Sequence, residues 1–285
     1  ASEAYTLDAQ RAEQEQYGSS ITELFEDYVA ERKPAPATVK SYRQKINAFV
    51  AYLGHDEASN VTAKDVVAWK DHLLSTSSGK GLSAKTVNDT YLAIVRSTFR
   101  WGQENERVKL NPTKNVKVRP RRALVTRSKG LNDEEANRIL AAAIRPASGR
   151  LSQERRLAQR WVPWLCAYTG ARVNEITQLR AEDVQEVDGV WGITITPDAG
   201  STKNYRARFV PLHSDLVEQG FVDVAQQKGL GPLFYDPERY RGGSDANPQS
   251  KKVGEFLARW VRELGVDHPQ VQPNHGWRHR FKTNA

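Results

Sequence analysis

Four segments in the first hundred residues place apolar side chains at intervals of three and four residues. In the first of them, Ile21, Leu24, Phe25, Tyr28 and Val29 follow this spacing, which predicts one buried face of an α-helix. The four segments are residues 21–32, 38–53, 62–74 and 83–108. Helices of this length with short connections predict a compact helical domain at residues 20–113, after a polar leader at residues 1–19.

The second half of the chain combines helical and strand patterns. Asn132 or Asp133 can cap a helix whose first turn is acidic, which suits the helix dipole. Two β-rich runs, at 190–196 and 206–213, flank the turn "PDAGSTKNY" and predict a hairpin. Further helices are predicted at residues 157–168 and 250–264. The expected fold class is therefore mainly α with a small antiparallel β-sheet, the second domain being α+β at residues 131–285.

Residues 114–130 carry seven basic side chains and no acid. Pro112 and Pro120 argue against a helix here, so we expect an extended basic linker between the two domains. Such a run is either a solvated charged segment or a strand that lies along phosphates, and the pattern favours neither. The candidate DNA contacts within it are Lys117, Arg119, Arg121, Arg122 and Arg127.

The composition favours an anionic partner. Lys and Arg number 42 against 34 Asp and Glu, giving a net charge of +8. The longest apolar run, residues 161–168, is too short to span a bilayer, so we expect no membrane partner. The one cysteine cannot form an internal disulfide, which favours a cytoplasmic location. That residue, Cys166, lies in the apolar run and is expected in the core.

Three basic motifs stand out in the second half. Arg172 lies at a glycine-marked turn in "TGARVNE", Lys203 lies at the tip of the predicted hairpin, and His275 and Arg278 share a helix face at spacing i, i+3. Taken singly, Arg172 would be interpreted as an ion-pair residue at the start of a helix, and Lys203 as a surface lysine in a turn. His275 and His279 lack the glutamate of a zinc motif and an evident third ligand, so no metal site is expected.

The ordered set of motifs resembles the tyrosine recombinase, or phage integrase, family. "TGARVNEITQLRAEDV" is similar to the first box of that family, "STKNYRARFVPLH" to its lysine-bearing hairpin, and "HGWRHRFKT" to its second box. The resemblance covers residues 20–285. It implies a helical core-binding domain followed by a catalytic domain, with Lys40, Arg43 and Lys85 as further candidate DNA contacts.

The resemblance also implies a chemistry that needs neither metal nor other cofactor. A tyrosine replaces a 5′-hydroxyl at a DNA phosphate, giving a 3′-phosphotyrosine, and the charge of the pentavalent phosphorane must be stabilised. Arg172 and Arg278 fit this need, because a guanidinium matches phosphate oxygens and stays charged. Lys203 is expected to protonate the leaving oxygen, His275 to assist proton transfer or bind phosphate, and Glu175 to orient an arginine.

The family places its nucleophilic tyrosine some tens of residues after the second box. None of the ten tyrosines here follows Arg278, so the catalytic domain is expected to be C-terminally incomplete and the 285-residue chain inactive in cleavage. The implied function is site-specific DNA recombination, or integration, by a protein of a phage or mobile element. Partners would be double-stranded DNA and, for the full-length protein, further copies in a tetramer, in the bacterial cytoplasm or nucleoid. The alternatives are a non-catalytic DNA-binding relative and a type IB topoisomerase-like enzyme.

Overall fold

The computed structural model describes residues 18–75, 81–119, 126–147, 149–200, 206–239 and 248–284. Contacts along the chain divide it into two compact units, residues 1–124 and residues 125–285. Each unit has its own hydrophobic core. The predicted fold class, mainly α with a small antiparallel sheet, is confirmed.

Unit 1 is helical throughout the part that the structure describes. Its elements are α1 (Ile21–Arg32), α2 (Pro36–Leu53), a 3-10 turn (Ala58–Asn60), α3 (Ala63–Ser75), α4 (Ala84–Thr86), a π-helical segment (Val87–Leu92) and α5 (Ala93–Glu104). The last three form the fourth predicted helix. It ends at Glu104 rather than at residue 108, because Glu106 takes a left-handed conformation with φ of 55°.

Helices α1 and α4 of unit 1 begin at serine caps, Ser20 and Ser83, and the helices of the unit pack around aromatic residues. Ser20 and Glu23 form a capping box at the start of α1, which satisfies backbone N–H groups that have no partner inside the helix. The rings of Phe49 and Trp69 pack at a centroid distance of 4.7 Å, and both residues are buried, as Phe99 is. The apolar spacing in the sequence thus corresponds to the buried faces of these helices.

The beginning of the predicted basic linker packs on unit 1. Val116 is buried, and its carbonyl oxygen accepts a hydrogen bond of 2.8 Å from Nη2 of Arg96. The side-chain amide of Asn88 both donates to and accepts from the backbone of Val118, at 2.6 and 2.8 Å. An amide that pairs in both directions replaces the backbone partner that an extended segment otherwise lacks.

Unit 2 combines helices with one three-stranded sheet. Its helices are α6 (Asp133–Ile144), α7 (Gln153–Thr169), α8 (Val173–Thr177), α9 (Ser214–Glu218), α10 (Phe221–Lys228), α11 (Gln249–Glu263) and α12 (Pro273–Asn284). Its strands are β1 (Val184–Val187), β2 (Val190–Ile195) and β3 (Arg208–Pro211), with 3-10 turns at Ala181–Asp183 and Pro197–Ala199.

The sheet has the order β1-β2-β3 and is antiparallel. β2 pairs with β3 from Gly192 opposite Pro211 to Ile195 opposite Arg208, so the predicted hairpin is confirmed. β1 was not predicted, because three of its four residues are exposed and it shows no alternation. A two-residue turn, Asp188 and Gly189, joins it to β2, and both residues have positive φ as tight hairpins require.

The core of unit 2 forms around α7. Trp161, Leu165 and Cys166 on this helix are buried, together with Trp277 of α12. Cys166 was expected in the core, and burial raises the pKa of its thiol to about 12, so it stays protonated and inert at neutral pH. Over the described residues of both units, no helix has the length and apolar character needed to cross a membrane.

Candidate phosphate-binding site

A sharp turn after α7 places Arg172 at the start of α8. Gly170 follows the last residue of α7 with φ of +61° and donates its N–H to the carbonyl oxygen of Cys166 at 3.0 Å. Glycine adopts this left-handed conformation without the strain that a Cβ brings. Two residues later, Arg172 stands at the N-cap of α8 in an extended conformation. The turn therefore projects the Arg172 side chain from a fixed point of the backbone.

Glu175 holds this arginine from inside the protein. Its side chain is 3% exposed. One carboxylate oxygen accepts from Nη1 of Arg172 at 3.0 Å, and the other accepts from the backbone N–H of Arg172 at 3.0 Å and from Nη2 of Arg208 at 2.6 Å. Burial alone would raise the pKa of Glu175, but the hydrogen bonds and charges of Arg208 and Arg172 outweigh it and lower the pKa. The carboxylate is thus ionised and oriented by two arginines.

Helix α12 brings the second basic motif to the same turn. Trp277 is buried and anchors the helix, while His275 and Arg278 lie one turn apart on it. Arg278 donates from Nη1 to the carbonyl oxygen of Gly170 at 2.8 Å. Close packing makes this possible, because a Cβ on Gly170 would come within 2.4 Å of the Phe281 ring.

His275 completes a cluster of positive groups. Burial and the neighbouring charges of His279, Arg278, Arg172 and Lys282 lower the pKa of His275. The rings of His275 and His279 meet edge to face at 4.9 Å. Because its pKa is lowered, the His275 imidazole is neutral at pH 7 and can accept a proton.

Arg172, His275 and Arg278, which the sequence analysis selected, are therefore brought together around Gly170, with Glu175 behind Arg172. Lys203 lies outside the described residues, as do Arg121 and Arg122. Arg208, which the sequence analysis missed, belongs to the same cluster. A signal for it existed, since it follows Lys203 by five residues on the strand that leaves the hairpin.

Three of the other candidate DNA contacts are engaged in ion pairs. Arg43 binds Glu26 at 2.7 Å and Lys85 binds Asp89 at 2.5 Å, both at exposed positions, where such pairs are weak and exchange easily with other anions. Arg127 is more firmly held, with two bonds of 2.7 Å to Glu135. The remaining described candidates, Lys40, Lys117 and Arg119, are exposed.

The tyrosine nearest to Arg172 in the sequence is occupied by a hydrogen bond. Tyr168, on the last turn of α7, donates its hydroxyl to the carboxylate of Asp215 and stacks on His213 at 4.5 Å. This hydrogen bond, with burial and the Asp215 charge, raises the pKa of Tyr168 to about 12. A phenol that already donates to a carboxylate and resists ionisation is poorly prepared to act as a nucleophile.

Among the residues that the structure describes, no group of three or more His, Cys, Asp or Glu side chains is arranged to hold a metal ion. The described cluster is instead cationic, with arginines and a histidine as its polar groups. Guanidinium and imidazole groups of this kind suit the oxygens of a phosphate or another anion.

Known proteins resemble the chain in sequence and in fold. The family model described as phage integrase, N-terminal SAM-like domain, matches residues 21–143. A tyrosine recombinase of Thermosipho africanus is 22% identical over 275 residues, which is 93% of this chain and 84% of the relative. A putative tyrosine recombinase XerC of Pseudomonas syringae is 27% identical over 232 residues, which is 74% of this chain and 44% of the relative.

Solved structures share the fold at low sequence identity. A lambda integrase dimer bound to a COC′ core site has a TM-score of 0.66 at 19% identity, over 96% of this chain and 71% of the integrase chain. A XerH site-specific recombinase bound to difH substrate, in a pre-cleavage complex, has a TM-score of 0.57 at 18% identity, over 93% and 73%.

These relatives support a recombinase class for the chain. More narrowly, the family model over residues 21–143 and the two relatives support the tyrosine recombinase/phage integrase family, and the resemblance of the chain to that family is confirmed.

Proposed function

We propose that this chain binds double-stranded DNA and carries the phosphate-activating part of a site-specific recombinase that cleaves and rejoins strands through a 3′-phosphotyrosine. The convergence of Arg172, His275 and Arg278 around the turn at Gly170 supports this most directly. Two guanidinium groups beside a neutral imidazole match the needs of phosphoryl transfer without a metal, because the developing charge on the phosphorane needs fixed donors.

In this proposal each group has one role. Arg172 and Arg278 bind the non-bridging oxygens of the phosphate while a tyrosine oxygen attacks the phosphorus. The bond to the 5′-oxygen breaks, and that oxygen takes a proton from Lys203 and leaves as a hydroxyl. His275 holds a phosphate oxygen or accepts the proton of the attacking tyrosine. Tyr168 and Tyr235 are poor candidates for the nucleophile, since the pKa of each is raised.

The overall charge and the exposed cations support a duplex as partner. The net charge is +8, and Lys40, Lys117 and Arg119 present exposed cations in unit 1. The lambda integrase and XerH structures with similar folds are bound to a COC′ core site and to difH substrate, and a structure of lambda integrase residues 75–356 with a TM-score of 0.62 is bound to DNA. A lambda integrase tetramer bound to a Holliday junction has the same fold, with a TM-score of 0.64, so we include assembly into a tetramer on DNA, in a bacterial cytoplasm or nucleoid, in the proposal.

Binding to DNA is tested by its salt dependence. If six to ten phosphates are neutralised, the affinity of residues 1–285 for a duplex should fall by roughly 10³–10⁵ between 50 and 200 mM salt. Arg172→Ala and Arg278→Ala should retain most of this affinity, because they are two cations among many. A flat plot of log K against log[salt] would refute electrostatic binding to phosphates.

The covalent step is tested separately. Duplexes selected from a random library on the protein would be incubated with it, digested and examined by mass spectrometry. With the nucleophilic tyrosine present, we expect a tyrosine-linked 3′-phosphate. With residues 1–285 alone, we expect binding and no adduct. An adduct on Tyr168 or Tyr235, or on a residue other than tyrosine, would contradict the proposed roles.

A further inference from the structure

We propose that Arg208 is a positioning residue for the phosphate site, acting through Glu175 so that the group around Arg172 keeps a net positive charge and Arg172 keeps hydrogen-bond donors available for a phosphate. This inference rests on the proposed function for its catalytic consequence. Its structural part, the control of Glu175 by Arg208, stands on geometry and is tested independently of cleavage.

The buried carboxylate of Glu175 is divided between two arginines. Arg172 takes one oxygen with Nη1 at 3.0 Å, and Arg208 takes the other with Nη2 at 2.6 Å. The shorter bond therefore belongs to Arg208, which lies in the hairpin segment that resembles the family but was given no role there. Arg208 is 33 residues away along the chain and begins strand β3, where it pairs with Ile195. Its position is fixed by the sheet rather than by α8.

A second arginine changes the charge that the site offers. A pair of Arg172 with Glu175 alone is neutral, and the arginine would then attract a phosphate only through its dipole. Adding Arg208 gives the three-residue group a net charge of +1, with Arg172 and Arg208 33% and 40% exposed and Glu175 3% exposed. The negative charge is thus buried, while the positive charge faces the surface.

The sharing of Glu175 between two arginines also limits how this carboxylate can bind Arg172. A carboxylate normally takes an arginine with two parallel bonds, but here one oxygen already accepts Arg208 and the Arg172 backbone. Among the described residues, the guanidinium group of Arg172 has its hydrogen-bond partner at Nη1. The other edge of the guanidinium remains for phosphate oxygens.

A second arginine-acid box in the same unit shows the opposite arrangement. Arg180 caps a 3-10 turn as Arg172 caps α8, and Asp183 is 3% exposed, as Glu175 is. Arg180 gives Asp183 two bonds, from Nη2 at 2.6 Å and from Nε at 3.1 Å, and also lies 3.5 Å from Glu182. One arginine here serves two acids, so this box is structural and provides a matched control.

Among the described residues, three groups act on the charge of Glu175. They are Arg172 at the start of its own helix, Arg208 on β3 and the neutral thiol of Cys166 on α7. Burial pushes the pKa of Glu175 upward and the Arg208 hydrogen bond is the largest influence that lowers it. Removing the Arg208 guanidinium must therefore raise the pKa of Glu175.

The first experiment measures this pKa in residues 1–285 by carbon-13 NMR of the glutamate carboxyl groups. We expect Arg208→Gln to raise the pKa of Glu175, Arg208→Lys to restore most of the lowering, and Arg180→Gln to leave it unchanged. An unchanged pKa in a folded Arg208→Gln protein would overturn the inference, whatever the outcome of any cleavage assay.

The second experiment measures cleavage against pH in the protein with its tyrosine nucleophile. Arg208→Gln should already cleave more slowly at neutral pH, where ionised Glu175 neutralises Arg172. It should also lose activity toward acid pH sooner than the wild type, because protonated Glu175 no longer orients Arg172, and fall by about 10²-fold at the lowest pH tested, toward the level of Arg172→Ala. Arg208→Lys should keep most activity. An equal loss at every pH that lysine does not rescue would mean that Arg208 contacts DNA directly, and would overturn the positioning role.

A double variant covers the case in which Arg208→Gln does not fold. Glu175→Gln/Arg208→Gln removes both charges, so no unpaired carboxylate is left buried, and it should be more stable than Arg208→Gln alone. It should also cleave no better than Glu175→Gln. If Glu175→Gln cleaves as fast as the wild type, the carboxylate does not position Arg172 and the inference is wrong.

Discussion

Arg278 donates a hydrogen bond of 2.8 Å to the carbonyl oxygen of Gly170, 108 residues earlier in the chain. Gly170 ends α7, and the next two residues lead to Arg172 at the start of α8. One backbone carbonyl thereby sets the spacing between the two arginines. The two boxes of the sequence form one site because the second is bonded to the glycine of the first.

Gly170 should tolerate a side chain poorly, because a positive φ and close packing coincide there. Gly170→Ala forces a Cβ into a backbone with φ of +61° and to within 2.4 Å of the Phe281 ring. We expect a loss of roughly 1–2 kcal/mol from the left-handed backbone and a further ~1–3 kcal/mol from overpacking. Urea denaturation followed by circular dichroism would measure both.

Gly54 supplies the matched control for this substitution. It also ends a helix, α2, in the left-handed conformation with φ of 78°, but nothing lies within 4 Å of its ideal Cβ. Gly54→Ala should therefore lose only the backbone part, roughly 1–2 kcal/mol. Equal losses of stability at both positions would show that α12 does not pack tightly against the turn at Gly170.

The pKa of His275 reports on the cationic cluster. Burial and the surrounding positive charges lower it, so Arg278→Gln should raise the pKa of His275, and so should binding of an anionic phosphate. Proton NMR titration of the imidazole C2 hydrogen would follow both changes, with His55 as a reference far away in the chain. A fall in the pKa of His275 when Arg278 is neutralised would contradict the geometry.

The same shift has a consequence for stability. A histidine with a lowered pKa in the folded state favours folding fully above the pKa of the unfolded chain, about 6.5. That contribution disappears as the pH falls toward the lowered value. His275→Gln should therefore flatten the dependence of unfolding free energy on pH between about 6.5 and the lowered pKa, as urea denaturation at several pH values would show.

The two arginines should matter for cleavage much more than for the fold. In the protein with its tyrosine nucleophile, Arg172→Ala or Arg278→Ala should slow cleavage by roughly 10²–10³, while circular dichroism and most DNA affinity stay unchanged. Arg180→Gln removes an arginine from a similarly buried acid in the same unit and should cleave normally when folded. A comparable loss in all three variants would indicate general destabilisation instead.

The role of Lys203 should be distinguishable from that of the arginines by the response of each variant to a modified DNA substrate. A general acid matters because an alkoxide leaves poorly, whereas the thiolate of a 5′-bridging phosphorothiolate leaves without a proton. Cleavage of that substrate by Lys203→Ala should recover, and cleavage by Arg172→Ala should stay low. If sulfur rescues Arg172→Ala equally well, or fails to rescue Lys203→Ala, the acid is another residue, with His275 next to test.

The sequence indicated the elements with long apolar periodicity and missed those without it. The four helical segments of unit 1 and the β2–β3 hairpin followed from spacing and turn residues. Strand β1 and helix α9 gave too short a pattern, because each buries a single residue, Val184 and Leu216, and helix α10 has eight residues, too few for a long periodic pattern. Local sequence carries little information about elements that depend on packing from elsewhere.

The site could be predicted from the sequence only in part, for the same reason. Arg172 and Glu175 lie within one turn of helix, and so do His275 and Arg278, so spacing alone brings each pair together. Arg208 meets Glu175 only because the sheet places β3 beside α8. The sequence shows only that Arg208 follows Lys203 by five residues on the strand that leaves the hairpin. It does not show that Arg208 meets Glu175, and without that contact the charge of the site is misjudged.

Helix α12 is held by residues that come early in unit 2. A Cβ on Gly276 would come within 2.9 Å of Leu131, and Arg280 binds the carbonyl oxygen of Leu131, 149 residues away. Contacts this distant in sequence carry a large loop-closure entropy and form slowly in folding. The cationic cluster should therefore arise late, when both ends of the unit have met, so that a partly folded chain carries no assembled centre that could bind a phosphate.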